Sequence, residues 1–304
     1  MTVYCVFSLY QFVTVHDVQG IKKQLEKWRE HSDLKGTLIC ASEGINGTIA
    51  AFPETIDQFE KWLTQNTPFT HLESKKHTSP KNPFLRFKVK EKKEIVTMNQ
   101  ENARPDQTVG TYVDPNNWNH LLEDDETVVL DTRNEYEVAI GSFKGSIDPK
   151  TNSFREFSEY VKTHLDPKKH KKVAMFCTGG IRCEKASSWM LNEGFEAVYH
   201  LKGGILNYLK QVDPNQSQWE GDCFVFDQRV AVDHAGMPSG HLQCFACRMP
   251  LTKEQSEHPA YEPGVSCEFC ADHTTDTQKA SFRQRQLQQT LAKKRGKQHI
   301  GAQK

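Results

Sequence analysis

The sequence lacks long hydrophobic runs, since no apolar stretch approaches the roughly 20 residues that a membrane-spanning helix requires. The N-terminal stretch MTVYCVFSLYQFVTV also lacks the basic segment and the small-residue cleavage site of a signal peptide. We therefore expect a soluble, cytoplasmic protein without a membrane partner. No motif for a nucleotide cofactor is apparent, and the chain shows no long internal repeat.

Acidic residues are absent after Asp276, although the 304-residue chain carries a formal net charge of zero. This last segment is instead rich in lysine and arginine. In a nucleic-acid-binding protein such cations contact phosphates without reading the base sequence. The candidate phosphate contacts are Arg283, Arg285, Lys293, Lys294, Arg295 and Lys297. The alternative is a solvated, disordered tail.

The nine cysteines form an odd number, and in a reducing compartment they favour catalysis or metal binding over disulfides. Four of them form two Cys-x-x-Cys pairs, Cys244 with Cys247 and Cys267 with Cys270, separated by residues 248–266. This spacing predicts a structural zinc site with four thiolate ligands, which leaves no open coordination position for catalysis. A redox-active thiol pair and a cysteine cluster without metal remain alternatives.

The first part of the chain shows strand and helix periodicities in the order β-α-β-β-α-β. The predicted strands cover residues 3–10, 35–41, 47–52 and a stretch near 70–77, and the predicted helices cover residues 17–31 and 54–66. Asp17 is the expected cap of the first helix, and residues 42–47 are the expected turn between the middle strands. This order is typical of a ferredoxin-like α+β domain, with both helices on one face of an antiparallel sheet.

The pattern changes near Gly110, where we expect a domain boundary. Before it, residues 84–90 (FLRFKVK) predict at least one strand within a connector. After it, apolar runs at residues 128–130, 173–176 and 197–201 alternate with helical stretches such as residues 183–193, which indicates an α/β domain with a buried parallel sheet. We therefore predict a multidomain α/β protein. Its predicted parts are an N-terminal domain with connector at 1–110, a catalytic domain at 111–219, and a Cys-rich extension with a basic tail at 220–304.

One cysteine stands at the junction between the strand at residues 173–176 and the following helix. The loop reads Cys177, Thr178, Gly179, Gly180, Ile181 and Arg182. The glycines permit a tight turn, and the turn N–H groups and the helix dipole stabilise a thiolate and lower its pKa. The sequence therefore predicts Cys177 as a nucleophile, with a buried structural cysteine as the alternative.

Two flanking motifs resemble those of the rhodanese superfamily. The first is VLDTR at residues 129–133, followed by Glu137 and by GSFKGSI at residues 141–147, and the second is LKGG at residues 201–204. The resemblance implies a central rhodanese domain in which Asp131 and Arg133 organise the loops around the site, unless they form a surface ion pair. Cys183 is a candidate resolving thiol for Cys177, or a packing residue.

Four segments together resemble the bacterial tRNA uridine hydroxylase family. They are EGINGTI at residues 43–49, FCTGGIRCEK at 176–185, CFACRMPL at 244–251 and YEPGVSC at 261–267. The resemblance covers nearly the whole chain and implies an oxidoreductase of monooxygenase type with molecular oxygen as co-substrate. It further implies hydroxylation of wobble uridine at C5 in the anticodon region of tRNA, giving 5-hydroxyuridine. We predict Cys177 as the catalytic cysteine of that reaction.

Two other functions fit the same motifs. A sulfurtransferase would carry a persulfide on Cys177 and would need neither oxygen nor an RNA surface. A non-catalytic RNA-binding or scaffold protein would keep the fold without the chemistry. For RNA docking the N-terminal domain offers Lys22, Lys23, Lys27 and the turn at residues 44–47, by analogy with other ferredoxin-like domains. The sequence does not predict the oligomeric state.

Overall fold

The computed structural model describes residues 3–31 and 33–295. These residues form an N-terminal α+β part, a central α/β part and a Cys-rich C-terminal part. Lys297, a predicted phosphate contact, lies outside the described residues, and so does the side chain of Lys293. Among the described residues, no helix is both long enough and apolar enough to cross a membrane.

The N-terminal part is a five-stranded sheet with two α-helices. Its elements are β1 (Tyr4–Phe12), α1 (Val18–Glu26), β2 (Lys35–Ala41), β3 (Gly44–Ala51), α2 (Pro53–Asn66), β4 (Glu73–Ser79) and β5 (Phe87–Glu91). A short 3-10 helix, Lys27–Glu30, extends α1. The strand order is β4-β1-β3-β2-β5. The predicted β-α-β-β-α-β order and the ferredoxin-like fold are confirmed.

Both helices of this part pack against the sheet in one hydrophobic core. The Asp17 side chain accepts a hydrogen bond from the Gly20 amide at 2.8 Å and so caps α1 as predicted. In each helix the buried residues recur every three or four positions, which places them on a single face. The helix residues in this core are Ile21, Leu25, Ile56, Phe59 and Leu63.

Two details of the sheet differ from the sequence prediction. The stretch at residues 84–90 supplies β5, which pairs in parallel with β2 as a fifth strand. The expected turn over residues 42–47 is wrong, because only Ser42 and Glu43 separate β2 from β3, and Gly44 already pairs with Phe12. An added Cβ at Gly44 or Gly47 would overlap a carbonyl oxygen of a neighbouring strand. These glycines therefore allow close strand approach, and residues 44–47 form no exposed turn for RNA.

The central part is an α/β unit whose main sheet is entirely parallel. Its elements are β6 (Thr111–Val113), α3 (Pro115–Leu122), β7 (Thr127–Asp131), α4 (Glu135–Val138), β8 (Gly141–Phe143), α5 (Phe157–His164), β9 (Lys172–Phe176), α6 (Ile181–Asn192), β10 (Ala197–Leu201) and α7 (Gly204–Gln211). A 3-10 helix, Phe154–Glu156, precedes α5. The order of the main sheet is β6-β10-β9-β7, so the strand that leads to Cys177 lies in its interior.

Alternating residues of β9 face two different hydrophobic cores. Val173 and Met175 pack in the core that contains Trp189 of α6, whereas Ala174 and Phe176 pack in the core that contains Tyr208 of α7. Helices therefore cover both faces of the parallel sheet, which explains why β9 reads as a continuous apolar run. The predicted buried parallel sheet is confirmed.

The C-terminal part consists of short strands, one long helix and a cysteine cluster. Its elements are β11 (Trp219–Gly221), β12 (Cys223–Phe224), β13 (Ala231–Val232), β14 (Leu242–Gln243), β15 (Pro250–Leu251) and α8 (Asp276–Lys294), with a 3-10 helix at Gln255–Glu257. β11 pairs with β8, and Trp219, Cys223 and Val225 join the core on the α7 side of the central sheet. Residues beyond 219 therefore contribute to the core of the central part, and the domain limit at residue 219 stays a prediction.

Candidate active site

The predicted cysteine loop lies between β9 and α6, at the carboxyl end of an interior strand. The Gly180 amide donates a hydrogen bond to Cys177 Sγ at 3.1 Å. Gly180 has a φ of 106°, which favours glycine, and α6 begins at the next residue, Ile181. The loop therefore points backbone N–H groups and a helix N-terminus at the sulfur, as the sequence predicted.

The second glycine motif, at residues 201–204, packs directly against this loop. The Ile205 amide donates to the Cys177 carbonyl at 3.0 Å, and the Leu206 amide donates to the Thr178 carbonyl at 3.2 Å. An added Cβ at Gly204 would overlap the Cys177 carbonyl oxygen, and Gly204 has a φ of 67°. Glycine at this position therefore lets the first turn of α7 support the cysteine loop.

Cys177 is 1% exposed, yet its surroundings favour the charged form. Burial alone would raise the pKa of this thiol. A hydrogen bond from the Cys183 thiol, the positive charge of Arg182 and the amides of Gly180 and Cys183 outweigh burial and hold the pKa of Cys177 well below its usual range. The surroundings of the predicted nucleophile therefore favour its thiolate form.

Cys183 is fully buried on the first turn of α6. Burial and the neighbouring negative charge of Cys177 raise the pKa of the Cys183 thiol well above its usual range. The Thr132 hydroxyl lies 3.6 Å from Cys183 Sγ. Cys183 thus lies beside Cys177 as a neutral hydrogen-bond donor in the reduced protein. This position is compatible with both predicted roles, that of a resolving thiol and that of a packing residue.

Arg182 is held by Glu137, a residue of the first rhodanese-like motif that the sequence prediction gave no role. Both Arg182 Nη atoms donate to the two carboxylate oxygens of Glu137 at 2.7 Å. Glu137 is fully buried, and the charge of Arg182 overcomes the effect of burial, so the pKa of Glu137 is lowered. Thr178 Oγ1 lies 3.5 Å from the same carboxylate. Glu137 therefore fixes the guanidinium beside the thiolate.

Asp131 and Arg133 form a second ion pair, which is fully buried and hence not a surface pair. Arg133 donates through Nε and Nη2 to Asp131 at 2.9 and 2.6 Å. Its guanidinium also donates to the Glu137 carbonyl at 3.2 Å and to the Gly141 carbonyl at 2.6 Å. The pair thus joins the end of β7 to α4 and β8, on the side of the loop where Glu137 lies.

The N-terminal part contributes a lysine to the loop, which sequence reasoning missed. Lys75 of β4 donates to the carbonyls of Gly179, at 3.2 Å, and of Gly203. Burial lowers the pKa of Lys75 to about 8, partly offset by the negative charge of Cys177. Its strand reads ESKKHTS, in which Lys75 resembles an ordinary surface lysine. Only the contact between the two parts shows its position, and no local pattern could have found it.

Other contacts across the same interface join Tyr10 and Lys185 to acidic residues. The Tyr10 hydroxyl donates to Glu184 at 2.7 Å, and burial raises the pKa of Glu184 to about 7. Lys185 is 1% exposed and contacts Glu43 and Glu94 at 2.7 and 2.6 Å. Glu43 belongs to the EGINGTI segment and Lys185 to the cysteine-loop segment. Two segments that were recognised separately in the sequence therefore meet in an interdomain ion pair.

The four predicted zinc ligands come together in the C-terminal part. The sulfurs of Cys244, Cys247, Cys267 and Cys270 all lie within 4.8 Å of one another, and the closest distances are 3.6, 3.8 and 3.9 Å. A tetrahedral zinc with Zn–S bonds of about 2.3 Å requires sulfur separations of about 3.8 Å, whereas a disulfide requires about 2 Å. The cluster therefore fits a structural zinc ion or a similar metal.

The basic segment after Asp276 forms α8 as far as Lys294. Two of its predicted phosphate contacts bind the protein itself: Arg283 pairs with Glu262 at 2.6 Å, and Arg285 donates to the Gly264 carbonyl at 2.8 Å. These arginines attach α8 to the Cys-rich part, so the alternative of a disordered tail does not apply to residues 276–294.

Comparisons with known proteins match the two larger parts of the chain. Residues 4–95 match the family model described as UPF0176 acylphosphatase like domain, and residues 114–211 match that of the rhodanese-like domain. The chain is also similar to three solved structures, each over part of its length. The rhodanese-like domain of an Anabaena protein is 19% identical, with a TM-score of 0.31, over 36% of this chain and 78% of that one.

Two further solved structures are similar over a comparable share of the chain. A rhodanese-like domain protein from Staphylococcus aureus is 17% identical over 32% of this chain and 90% of that chain, with a TM-score of 0.27. An acylphosphatase from Coxiella burnetii is 16% identical over 29% of this chain and 94% of that chain, with a TM-score of 0.23. The chain therefore has a UPF0176 acylphosphatase-like domain followed by a rhodanese-like domain that holds the Cys177 loop, which agrees with the rhodanese resemblance of its motifs.

Proposed function

We propose that the protein is an oxygen-dependent hydroxylase that converts the wobble uridine of tRNA to 5-hydroxyuridine at Cys177. The observation that carries the proposal is the stabilised thiolate in the loop before α6. The two matched domains and the four segments that resemble tRNA uridine hydroxylases support the choice of substrate and reaction type.

The proposed chemistry begins with the Cys177 thiolate. It adds to C6 of uracil, and the electron pair of the C5–C6 double bond moves to C5 and its neighbouring carbonyl. The electron-rich C5 then takes up molecular oxygen. Loss of the C5 proton and departure of the Cys177 sulfur restore the double bond and release the enzyme.

The balance of this reaction requires a reductant. One oxygen atom of the dioxygen remains on C5, and the other leaves as water after it accepts two electrons and two protons. We assign this role to a thiol reductant, two equivalents of which become a disulfide. Overall, uridine, dioxygen and two thiols give 5-hydroxyuridine, water and a disulfide.

The interface with the N-terminal part bears on access to the sulfur. Lys75 covers the loop from β4, and Cys177 is only 1% exposed. A nucleoside is too large to reach the sulfur in this arrangement, so the proposal requires the Lys75 contact to open when tRNA binds. The ammonium group of Lys75, released from the loop carbonyls, would then be available to stabilise the negative charge that develops on the uracil ring.

A sulfurtransferase that carries a persulfide on Cys177 is the alternative that a specific observation favours. The N–H groups that converge on Sγ serve a persulfide anion as well as a thiolate, and the matched domain is a rhodanese-like one. A persulfide, like the base, would require the loop to open before sulfur could pass to an acceptor.

Nucleoside mass spectrometry distinguishes these functions. tRNA that lacks 5-hydroxyuridine is incubated with the purified protein and a thiol reductant, in air or without oxygen, beside the Cys177→Ala variant. We expect 5-hydroxyuridine only with the intact protein in air. No product from the intact protein, together with sulfur transfer from thiosulfate to cyanide in a parallel assay, would establish the sulfurtransferase instead. If folded protein shows neither activity, the result would favour the non-catalytic scaffold protein.

A further inference from the structure

A groove of about 830 Å³ lies where the three parts of the chain meet. β5 of the N-terminal part forms one wall, Tyr136 of α4 and the segment around Phe226 form the second, and the Cys-rich part forms the third with Phe245 and Arg248. The groove lies outside the contacts that hold Cys177, and none of the chemistry described above uses it.

The lysine and arginine side chains that line this groove lack acidic partners among the described residues. Arg86, Lys88 and Lys90 alternate along the β5 segment, so they project from the same face of an edge strand. Across the part of the chain that the structure describes, neither these three nor Arg248 form an ion pair with a carboxylate.

Two further observations indicate an unbalanced positive potential. Loss of hydration and repulsion from Arg86 and Lys90 lower the pKa of Lys88. The acidic side chain that lines the groove, Asp227, is already paired with Arg229 at 2.6 Å. The groove therefore attracts a polyanion.

Aromatic side chains of the groove are exposed to a degree that is unusual for phenylalanine. Phe226 is 62% exposed and Phe245 is 55% exposed. The contact of such large apolar rings with water is unfavourable, and a flat or apolar group that covers them removes this cost. A groove that combines unpaired cations with open aromatic rings suits single-stranded nucleic acid, since its bases stack on the rings while its phosphates pair with the cations. An acidic peptide would use the cations but leave the rings in water.

One lining residue of the groove, Phe226, also contacts the cysteine loop. The guanidinium carbon of Arg182 lies 5.9 Å from the centre of the Phe226 ring, and Arg182 is the residue beside the Cys177 thiolate. A strand that occupies the groove would therefore contact a side chain that itself contacts Arg182.

We propose that this groove binds a single-stranded RNA loop, with bases on Phe226 and Phe245 and phosphates on Arg86, Lys88, Lys90 and Arg248. The choice of RNA rests on the proposed tRNA hydroxylation. The groove thereby takes the place of Lys22, Lys23 and Lys27 as the RNA surface, and it presents the loop to the side of the active site where Arg182 lies.

Fluorescence anisotropy tests the proposal with the full-length protein, without oxygen and without turnover. The probe is a labelled RNA hairpin with an anticodon-type loop, compared with the same stem closed as a blunt duplex and with a polyglutamate competitor. The test variants are Phe245→Ala and the double variant Lys88→Gln/Lys90→Gln. The control for Phe245, which lies between Cys244 and Cys247, is Phe269→Ala, since Phe269 is an exposed phenylalanine between Cys267 and Cys270. The control for the lysine variant is Lys168→Gln/Lys169→Gln, which changes two exposed lysines outside the groove.

We expect Phe245→Ala to weaken hairpin binding roughly 5- to 140-fold, since one base stack is lost. Lys88→Gln/Lys90→Gln should reduce the slope of log affinity against log salt by about 1.4, at about 0.7 per phosphate contact with a single strand. Both controls should bind as the unchanged protein does. In all four variants the alkylation rate of Cys177 reports whether the loop remains folded.

Three results would overturn the proposal: hairpin affinity unchanged in the groove variants, equal losses in the controls, or binding of the blunt duplex or polyglutamate as tight as that of the hairpin. Because binding is measured without turnover, failure of hydroxylation leaves this test unaffected. Conversely, hydroxylation with unchanged binding in the groove variants would refute the groove and not the proposed function.

Discussion

Substitutions in the ion pair between Arg182 and Glu137 should change the stability of the protein and the reactivity of Cys177 in different ways. Glu137 is fully buried, Arg182 is 9% exposed, and two contacts of 2.7 Å join them. Arg182→Met removes one partner and leaves the other as a buried, unpaired carboxylate. Breaking a buried pair in this way costs about 3–5 kcal/mol of unfolding free energy, whereas replacing both partners removes most of that cost. We therefore expect Glu137→Gln/Arg182→Met to regain most of the stability that Arg182→Met loses.

The pH dependence of this loss has a definite sign. The pKa of Glu137 is lowered in the folded protein, so the contribution of the pair is present above the ordinary pKa of 4.5 and is lost as the pH falls through the lowered value. In Arg182→Met the unpaired carboxyl can take up a proton at acidic pH, which relieves the buried charge. The stability gap between the unchanged protein and Arg182→Met should therefore shrink as the pH falls.

Reactivity should not recover with stability. Both variants lack the positive charge that lowers the pKa of Cys177, so in both the pKa rises and alkylation by iodoacetamide near neutral pH slows. Urea unfolding gives the stability, and the alkylation rate as a function of pH gives the thiol pKa. The reasoning is refuted if the single variant loses less than about 1 kcal/mol, if the double variant is as unstable as the single one, or if the alkylation profile does not move.

Three further predictions concern Lys75, Glu184 and the cysteine cluster. Lys75→Met removes a cation beside Cys177, so the pKa of the Cys177 thiol, measured from its alkylation profile, should rise. Lys76→Met, which changes the exposed neighbour, should leave that profile unchanged. Between pH 4.5 and about 7, Glu184 keeps its proton in the folded protein but has lost it in the unfolded chain, so the free energy of unfolding falls as the pH rises. The difference of about 2.5 pKa units corresponds to about 3 kcal/mol. In Glu184→Gln, urea unfolding should therefore show a flatter pH dependence. A pH dependence as steep as that of the unchanged protein would contradict this. Metal analysis should find about one zinc per chain, and less in Cys247→Ser; equal zinc in both would exclude Cys247 as a ligand.

Much of the fold follows from local patterns in the sequence. The apolar periodicities and the Asp17 cap predicted α1, α2 and β2 with small errors at their ends, and the apolar run of β9 indicated a strand covered on both faces. The turn at residues 42–47 failed for a physical reason: glycine is required both in turns and where strands approach closely, and only the register of β3 shows which applies to Gly44.

The cysteine loop was predictable because its function depends on a short contiguous stretch. Cys177, Gly180 and Arg182 adopt their arrangement through the junction of one strand with one helix, and sequence spacing reports such a junction. Lys75 and Tyr10 were not predictable, since each is an unremarkable residue of its strand until the N-terminal sheet docks on the central part. Contacts between distant segments leave no local signal in a single sequence.

The direct test of the central claim is the origin of the oxygen atom in the product. The purified protein is incubated with tRNA that lacks 5-hydroxyuridine, a thiol reductant and isotopically heavy dioxygen in ordinary water, and the nucleosides are analysed by mass spectrometry. We predict that 5-hydroxyuridine carries the heavy isotope and that Cys177→Ala forms none. 5-Hydroxyuridine with oxygen from water, or equal product from Cys177→Ala, would contradict the account.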